Sequence, residues 1–317
     1  MTADEIVGRL EERGWRAAVL PAGHIADLHR EIESRKVAIG PAVRAVVDRN
    51  LDFAVQGEVP EPRSLIVVVV PHACARVTLV VDGTARDVPV PTTYCHHDAI
   101  HAEVEYALMA GLGSAGLTAA RIALPEKLLA VCGGLARYGC NNIAYVDGWG
   151  SFVELVACVS DLEPDDDPWT GPRRLSRCGS CSACARACPT GAIDGERFLL
   201  HGDLCLTLHN ESEEPFPEWI DPSWHHCLVG CLRCQQACPE NVALRDRVAE
   251  TATFDERESE LLMTGATHGL LAGQPAVRDK LDAAGLLEYD DLFLGVVMPR
   301  NLKAVAQALR LARAPGS

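Results

Sequence analysis

The sequence predicts an α/β layered domain, followed by a small cysteine-rich domain and a short helical C-terminal cap. Three observations carry that reading. Helical periods alternate with β-branched apolar runs over residues 1–160, nine of the fourteen cysteines fall between 178 and 238, and amphipathic helical patterns resume after 246. A chain of 317 residues is long enough for more than one core. The expected division is 1–165 for the α/β part, 166–245 for the cysteine-rich part, and 246–317 for C-terminal helices packing on the core.

Residues 4–54 read as helices: "DEIVGRLEERGW", "GHIADLHREIESR" and "PAVRAVVDRNL", the last with Pro41 suited to a first helical turn. "SLIVVVV", 64–70, is an unbroken apolar run and reads as a strand buried on both faces. "RVTLVVDGTARDVPV", 76–90, sets an Asp-Gly turn between two alternating runs, which predicts a hairpin elaborating the edge of that sheet. "HDAIHAEVEYALMAGLG", 97–113, is helical with a glycine stop, and a second helix opens at Pro125. "NNIAYV" and "SFVELVACVSD" read as strands about a "DGWG" turn. The acidic, proline-bounded "DLEPDDDP", 161–168, is the expected linker. Beyond the cysteines, "FDERESELLMTG", "PAVRDKLDAAGL" and "YDDLFLGVVMPRNLKAVAQALRLA" predict short amphipathic helices, and 314–317 a frayed end.

Charged residues are 23% and hydrophobic ones 48%, the balance of a soluble globular chain. The first thirty residues are acidic and amphipathic, so neither a signal peptide nor a membrane anchor is expected and the predicted location is the cytoplasm. Net charge is −15, and the one short basic cluster, "GPRRLSRC", reads as a solvated linker. Phosphate backbones are bound by cations, so this balance argues against nucleic acid as a partner. No strand-linked Gly-x-Gly-x-x-Gly is present; "GLGSAG", 111–116, approximates it but follows a helix.

Cys178, Cys181, Cys184 and Cys188 are spaced C-x2-C-x2-C-x3-C-P. That is the bacterial ferredoxin run, in which three thiolates hold one 4Fe–4S cluster and the fourth reaches a neighbouring one. Structural zinc sites show separated pairs instead. The second run, Cys231, Cys234 and Cys238-Pro239, keeps C-x2-C-x3-C-P but lacks a regularly placed first member. The assignment is therefore crossed: Cys178, Cys181, Cys184 and Cys238 for one cluster, Cys188, Cys231, Cys234 and Cys205 for the other, with Cys227 the alternative to Cys205. Cys132 and Cys158 lie on apolar stretches and read as small buried hydrophobes. Cys74 also lacks metal spacing, while Cys95 and Cys140 sit at element ends where a thiol can face a site.

Together, "GGLARYGCNNIAYVDGWGSFVEL", "CGSCSACARACPTGAI", "DLCLTL" and "GCLRCQQACPEN" resemble epoxyqueuosine reductase and its relatives, including the iron–sulfur half of reductive dehalogenases. The resemblance covers about 64–242. It implies a nitroreductase-like domain of the cobalamin-binding type joined to a bacterial ferredoxin-like double-cluster domain, with clusters passing single electrons to cobalamin. It implies cofactor contacts at Gly139, Cys140, Asn141 and Asn142, the family's glycine-asparagine turn, and it supports Cys205 as the fourth ligand. Two departures matter. The aspartate that donates a proton in epoxyqueuosine-reducing members has Ala120 at its position here, and the family's lysine is Cys140. The C-terminal helical-repeat extension that helps hold tRNA is also lacking.

A proton donor is then expected from "TTYCHHDAIH", with Tyr94 and His97 as the catalytic candidates and His96, Asp98 and His101 nearby. The structural alternative is that His97 and Asp98 begin a helix and Tyr94 packs in a loop. Tyr138 is a weaker candidate, and His225 and His226 are read as shielding a cluster or hydrogen-bonding its sulfur. The leading function is an iron–sulfur, cobalamin-dependent reductase of a small molecule, fed by an external low-potential electron donor. Two others stand beside it: an electron-transfer or reductive-activation protein for a corrinoid or other partner protein, and a cluster reductase with flavin in place of cobalamin.

Overall fold

The computed structural model describes residues 1–55, 59–194, 198–244 and 247–312. Helix α1 (Ala3–Glu11) starts on a capping box: Thr2 Oγ1 accepts the Glu5 N–H at 3.2 Å while the Glu5 carboxylate accepts the Thr2 N–H at 3.0 Å. Strand β1 (Arg16–Pro21), helices α2 (Ile25–Lys36) and α3 (Pro41–Asn50), and strands β2 (Ser64–Pro71), β3 (Cys74–Val81) and β4 (Thr84–Val90) follow. Then come α4 (His97–Gly113), β5 (Ala119–Arg121), α5 (Glu126–Cys132), β6 (Arg137–Tyr138), β7 (Ala144–Tyr145) and β8 (Val153–Ser160). Among its described residues the cysteine-rich segment holds, besides short 3₁₀ turns, three short α-helices, α6 (Ala183–Ala187), α7 (Leu206–Glu211) and α8 (Arg233–Gln236). The chain continues through β9 (Val248–Phe254), α9 (Glu256–Thr264), α10 (His268–Leu271), α11 (Pro275–Ala283) and α12 (Met298–Leu311).

The main sheet runs β1-β2-β8-β5, and every pairing in it is antiparallel. Its central strand β2 shows why the run of valines is unbroken. Leu65, Val67 and Val69 enter a core with α5 and Leu28 of α2, while Ile66, Val68 and Val70 enter another with α1 and α4 on the opposite face. Alternate side chains go to opposite faces, so a strand sandwiched between two helical layers must be apolar at every position. The expected α/β layering is present.

Three sequence expectations need correction. Residues 4–54 are not all helical, because "RAAVLP" forms β1. Its Ala17 to Leu20 are buried, and pairing with β2 overrides the weak helical preference of an alanine-containing stretch. The hairpin does not extend the main sheet. It forms a second sheet, β4-β3-β9, in which β9 pairs parallel to β3; the turn is tight because Asp82 and Gly83 both take positive φ, 49° and 67°. The C-terminal helices share a core with that second sheet, where Val77, Leu79, Phe254, Leu262, Leu281 and Leu302 meet. They are therefore partners of the hairpin more than a cover for the main sheet.

Residues 161–168 carry neither helix nor strand, as expected of a connection, and 314–317 lie outside the described residues. Among the described residues no helix is long and apolar enough to cross a membrane.

Candidate functional site

A cavity of about 530 Å³ opens between the main sheet and the cysteine-rich segment. It is lined by the loop before α4, the start of α5, the 141–144 turn and β8, together with residues from 188–193, 200–211 and 231–235. Helix α3 adds Val43 and Val46. It buries no residue fully, and Gly202 lets it come close: a Cβ there would lie 2.5 Å from Val43 Cγ2.

The thiols fall into two groups. Cys188, Cys205, Cys231 and Cys234 share the wall of the cavity. Cys178, Cys181, Cys184 and Cys238 line a separate small recess together with Gly139 and Cys140. The spacing produces this division because α6 and α8 are single turns followed closely by Cys188 and Cys238, each with extended φ and ψ before a proline, and each of these thiols crosses to the other group. Cys227 sits apart, 1% exposed among Cys74, Phe152 and Leu232, and burial pushes its thiol well above the usual range. Cys140 is buried in the recess, with an Arg174 guanidinium N–H directed at its sulfur at 2.7 Å. Cys95, Cys132 and Cys158 are buried in apolar cores, so Cys95 does not face the site.

The glycine-asparagine turn joins the two groups. Asn141 lines both the cavity and the recess, and Asn142, held at φ 56°, accepts the Leu200 N–H at 2.7 Å and donates to the Phe198 carbonyl at 2.5 Å. That pair of bonds pins residues 198–200 beside the cavity. The His225 ring packs on Phe216, His226 Nδ1 lies 3.3 Å from the Trp224 carbonyl, and burial holds both imidazoles down to about 4, so they are neutral at physiological pH.

Four titratable groups share the cavity with these thiols. Tyr94 donates its hydroxyl to Glu211 and packs its ring on Gly230, where a Cβ would lie 2.8 Å from the ring. Only glycine permits both that approach and the φ of +63° just before Cys231. Burial and the Glu211 charge raise the Tyr94 phenol well above its usual value. Glu126, the first residue of α5, is pushed up to about 8 by burial and by the charge of Glu154. Burial lowers the Lys127 amine and raises the Glu211 carboxyl. All four line the cavity, open to its interior while surrounded by protein.

His97 is not among the described lining residues; its Nδ1 lies 2.8 Å from Oε1 of Glu154, which does line the cavity. Tyr138 is 4% exposed, packed edge-on against Phe198. Sequence reasoning missed Glu126, Lys127 and Glu211. The available signal was Glu126 directly after Pro125, a carboxylate placed at a helix start.

Residues 177–241 match the 4Fe-4S double cluster binding domain. That segment thus has the cysteine apparatus of a two-cluster 4Fe-4S domain. Over part of its length the chain is similar to epoxyqueuosine reductases: it is 34% identical to that of Gloeobacter violaceus over 139 residues, which are 42% of this chain and 41% of the relative. It is 42% identical to that of a Synechococcus species over 120 residues, 37% of this chain and 36% of the relative. The chain spans about two fifths of the length of the curated relatives it matches. The fold extends further than that identity. A selenomethionine-labelled epoxyqueuosine reductase superposes with a TM-score of 0.66 at 14% identity, covering 97% of this chain and 81% of that one. The Bacillus subtilis enzyme gives 0.65 at 15% identity, covering 99% and 86%. Another solved epoxyqueuosine reductase holds an epoxyqueuosine-modified tRNA stem loop.

Proposed function

We propose that this protein is a reductase in which two 4Fe–4S clusters pass single electrons into the cavity, where a bound cofactor and a small-molecule substrate meet. One observation carries the reading. Cys188, Cys205, Cys231 and Cys234 line the same cavity as Tyr94, Glu126, Lys127 and Glu211. Electrons would enter by way of the thiols and protons by way of these titratable groups. The second thiol group, Cys178, Cys181, Cys184 and Cys238, lies in the neighbouring recess and would relay electrons from an external donor.

The cavity residues suit a large flat redox cofactor. Val43, Val46, Val153, Leu155, Leu200 and Leu206 give apolar contact, the volume lies in the range of small-molecule sites, and no histidine is among the described lining residues. In this reading these apolar residues would hold cobalamin, with Asn141 and Asn142 at the edge of the site. When bound, cobalamin would supply the strongly reducing metal centre that the carbon or heteroatom chemistry needs. The protein's own part is to orient the substrate, exclude water and move protons. Tyr94 is the terminal donor in this reading, with Glu211 behind it. Glu126, pushed up to about 8, is a second acid that stays protonated at neutral pH.

A small molecule is the favoured substrate because the net charge of −15 disfavours a polyanion. The deciding experiment is an anaerobic absorption spectrum of cluster-loaded protein before and after hydroxocobalamin. Retained cobalamin with spectral change supports the reading. Clusters without cobalamin retention would move it to a flavin-dependent reductase or to an electron carrier for a partner protein, and turnover of a tRNA stem loop would overturn the small-molecule assignment.

A further inference from the structure

His97 and His101 are four residues apart on α4, so their imidazoles lie on one face of the helix, with ring centroids 4.0 Å apart. That face meets Glu154 from β8. A single carboxylate oxygen, Glu154 Oε1, lies 2.8 Å from His97 Nδ1 and 3.0 Å from His101 Nε2, and the three ligand atoms all fall within 4.8 Å of one another. The other oxygen, Oε2, is buried and has no hydrogen-bond partner among the described residues. Glu154 is 2% exposed and is the only charged residue of an otherwise apolar and polar, fully buried strand.

A carboxylate offers about four acceptor positions, and one oxygen taking two N–H groups while its twin takes none is an unbalanced arrangement for a buried charge. A cation between the carboxylate and the two rings would balance it. The dimensions suit this. Nitrogen and oxygen ligands bind zinc at about 2.0–2.2 Å in a tetrahedron, which separates ligand atoms by about 3.3–3.5 Å, so the two oxygen–nitrogen separations need open by only a fraction of an ångström, and the two nitrogens already lie within 4.8 Å of each other. Two imidazoles and one carboxylate form the three-ligand set that leaves a coordination position for water or substrate oxygen. His97 is the half-exposed member and gives the ion a route in from solvent, while Glu154 also lines the cavity.

We propose that His97, His101 and Glu154 form a site for one divalent transition-metal ion of the zinc type, at the edge of the cavity and separate from the cluster thiols. The site goes beyond the reductase reading and does not depend on it. An ion there would present a water molecule or a substrate oxygen to the cavity and polarise it.

The test uses cluster-loaded protein, incubated anaerobically with Zn²⁺, freed of unbound metal by desalting, and analysed for zinc and iron. The expected result is one zinc per chain beyond the iron, with an anomalous diffraction peak at the zinc edge between the three side chains. Glu154→Gln and His97→Ala should keep their iron and weaken zinc binding by more than the roughly 100-fold that outer-shell changes cause. His97→Ala is the safer variant for folding because its ring is half-exposed. Wild-type protein that retains no zinc, an anomalous peak at the thiols alone, or equal zinc retention by His97→Ala would each show a hydrogen-bonded triad only and overturn the proposal.

Discussion

Asn141 donates its side-chain amide to the phenol oxygen of Tyr145 at 2.9 Å, and this pair stands between the two groups of thiols. Cys238 of the recess group acts on the Tyr145 phenol, and Asn141 acts on the Cys234 thiol of the cavity group. Asn141 lines both the cavity and the recess, so the pair bridges the two thiol groups with N–H and O–H donors. Donors of this kind stabilise the more negative, reduced cluster. Asn141→Ala and Tyr145→Phe should therefore lower cluster potentials, by an amount on the order of tens of millivolts, with iron content unchanged. Redox titration followed by electron paramagnetic resonance reads the shift. Unaltered potentials in both variants would remove the bridge from the electron path.

The ligand assignment predicts different fates for two cysteines. Cys205 lies on the cavity wall with Cys188, Cys231 and Cys234, whereas Cys227 is packed with Cys74, Phe152 and Leu232. Anaerobically reconstituted protein should hold about eight irons. Cys205→Ala should fall to about four, and Cys227→Ala should keep about eight while losing some stability as a buried thiol is trimmed. The reverse pattern would make Cys227 the ligand.

The cysteine sites were legible because their information is local: a C-x2-C turn brings thiols together whatever the rest of the chain does. The sheet was less so. Its strand β2 declares itself through "SLIVVVV", but β1 has only Val19 as a β-branched residue and is a strand because Ala17–Leu20 lie against Val67, Val68, Ile66 and Leu65. Strand β9 depends in the same way on a partner far back in the chain, β3. Glu126 and Glu211 were hidden for a related reason. They and Tyr94, which the sequence did offer, come from three separate segments that only the tertiary fold brings together. His97 and His101 did show their shared helix face in the sequence, and Glu154 showed as a lone carboxylate inside "SFVELVACVSD"; nothing local joined the two.

Glu126 gives a pH-dependent signature that needs no substrate. Its carboxyl has an ordinary value of 4.5 and is pushed up to about 8 in the fold, so between those limits the folded protein holds a proton that the unfolded chain has released. Stability therefore falls as pH rises from about 4.5 to about 8 and is level beyond it, with a ceiling of about 5 kcal/mol for the whole effect. Glu126→Gln keeps the shape without the charge and should flatten that part of the profile. An infrared carbonyl band of a protonated carboxyl should be present at pH 7 in metal-free protein, disappear above pH 8, and be missing from Glu126→Gln. A wild-type band absent at pH 7 would show Glu126 ionised and take it out of the donor set.

Tyr94 supplies the closing test of the proton path. Its hydroxyl is committed to Glu211, its ring is held by Gly230 beside Cys231, and the buried setting keeps the phenol protonated far above neutral pH. Such a group yields its proton only to a strongly basic partner, which is the kind that two-electron reduction of a carbon or heteroatom creates, and Glu211 is placed to restore it afterwards. Tyr94→Phe removes one oxygen and leaves the ring packed on Gly230, so cluster content and cobalamin retention should match wild type while reductive turnover falls by about 10²–10⁴-fold. Gly230→Ala is the complementary change: it drives a Cβ into the Tyr94 ring and forces a side chain into positive φ, so it should lower turnover and also disturb the cluster held by Cys231. If Tyr94→Phe turns over normally while Glu126→Gln does not, the proton comes from the start of α5. If both turn over normally, neither cavity acid is the donor and the protons reach the substrate through water.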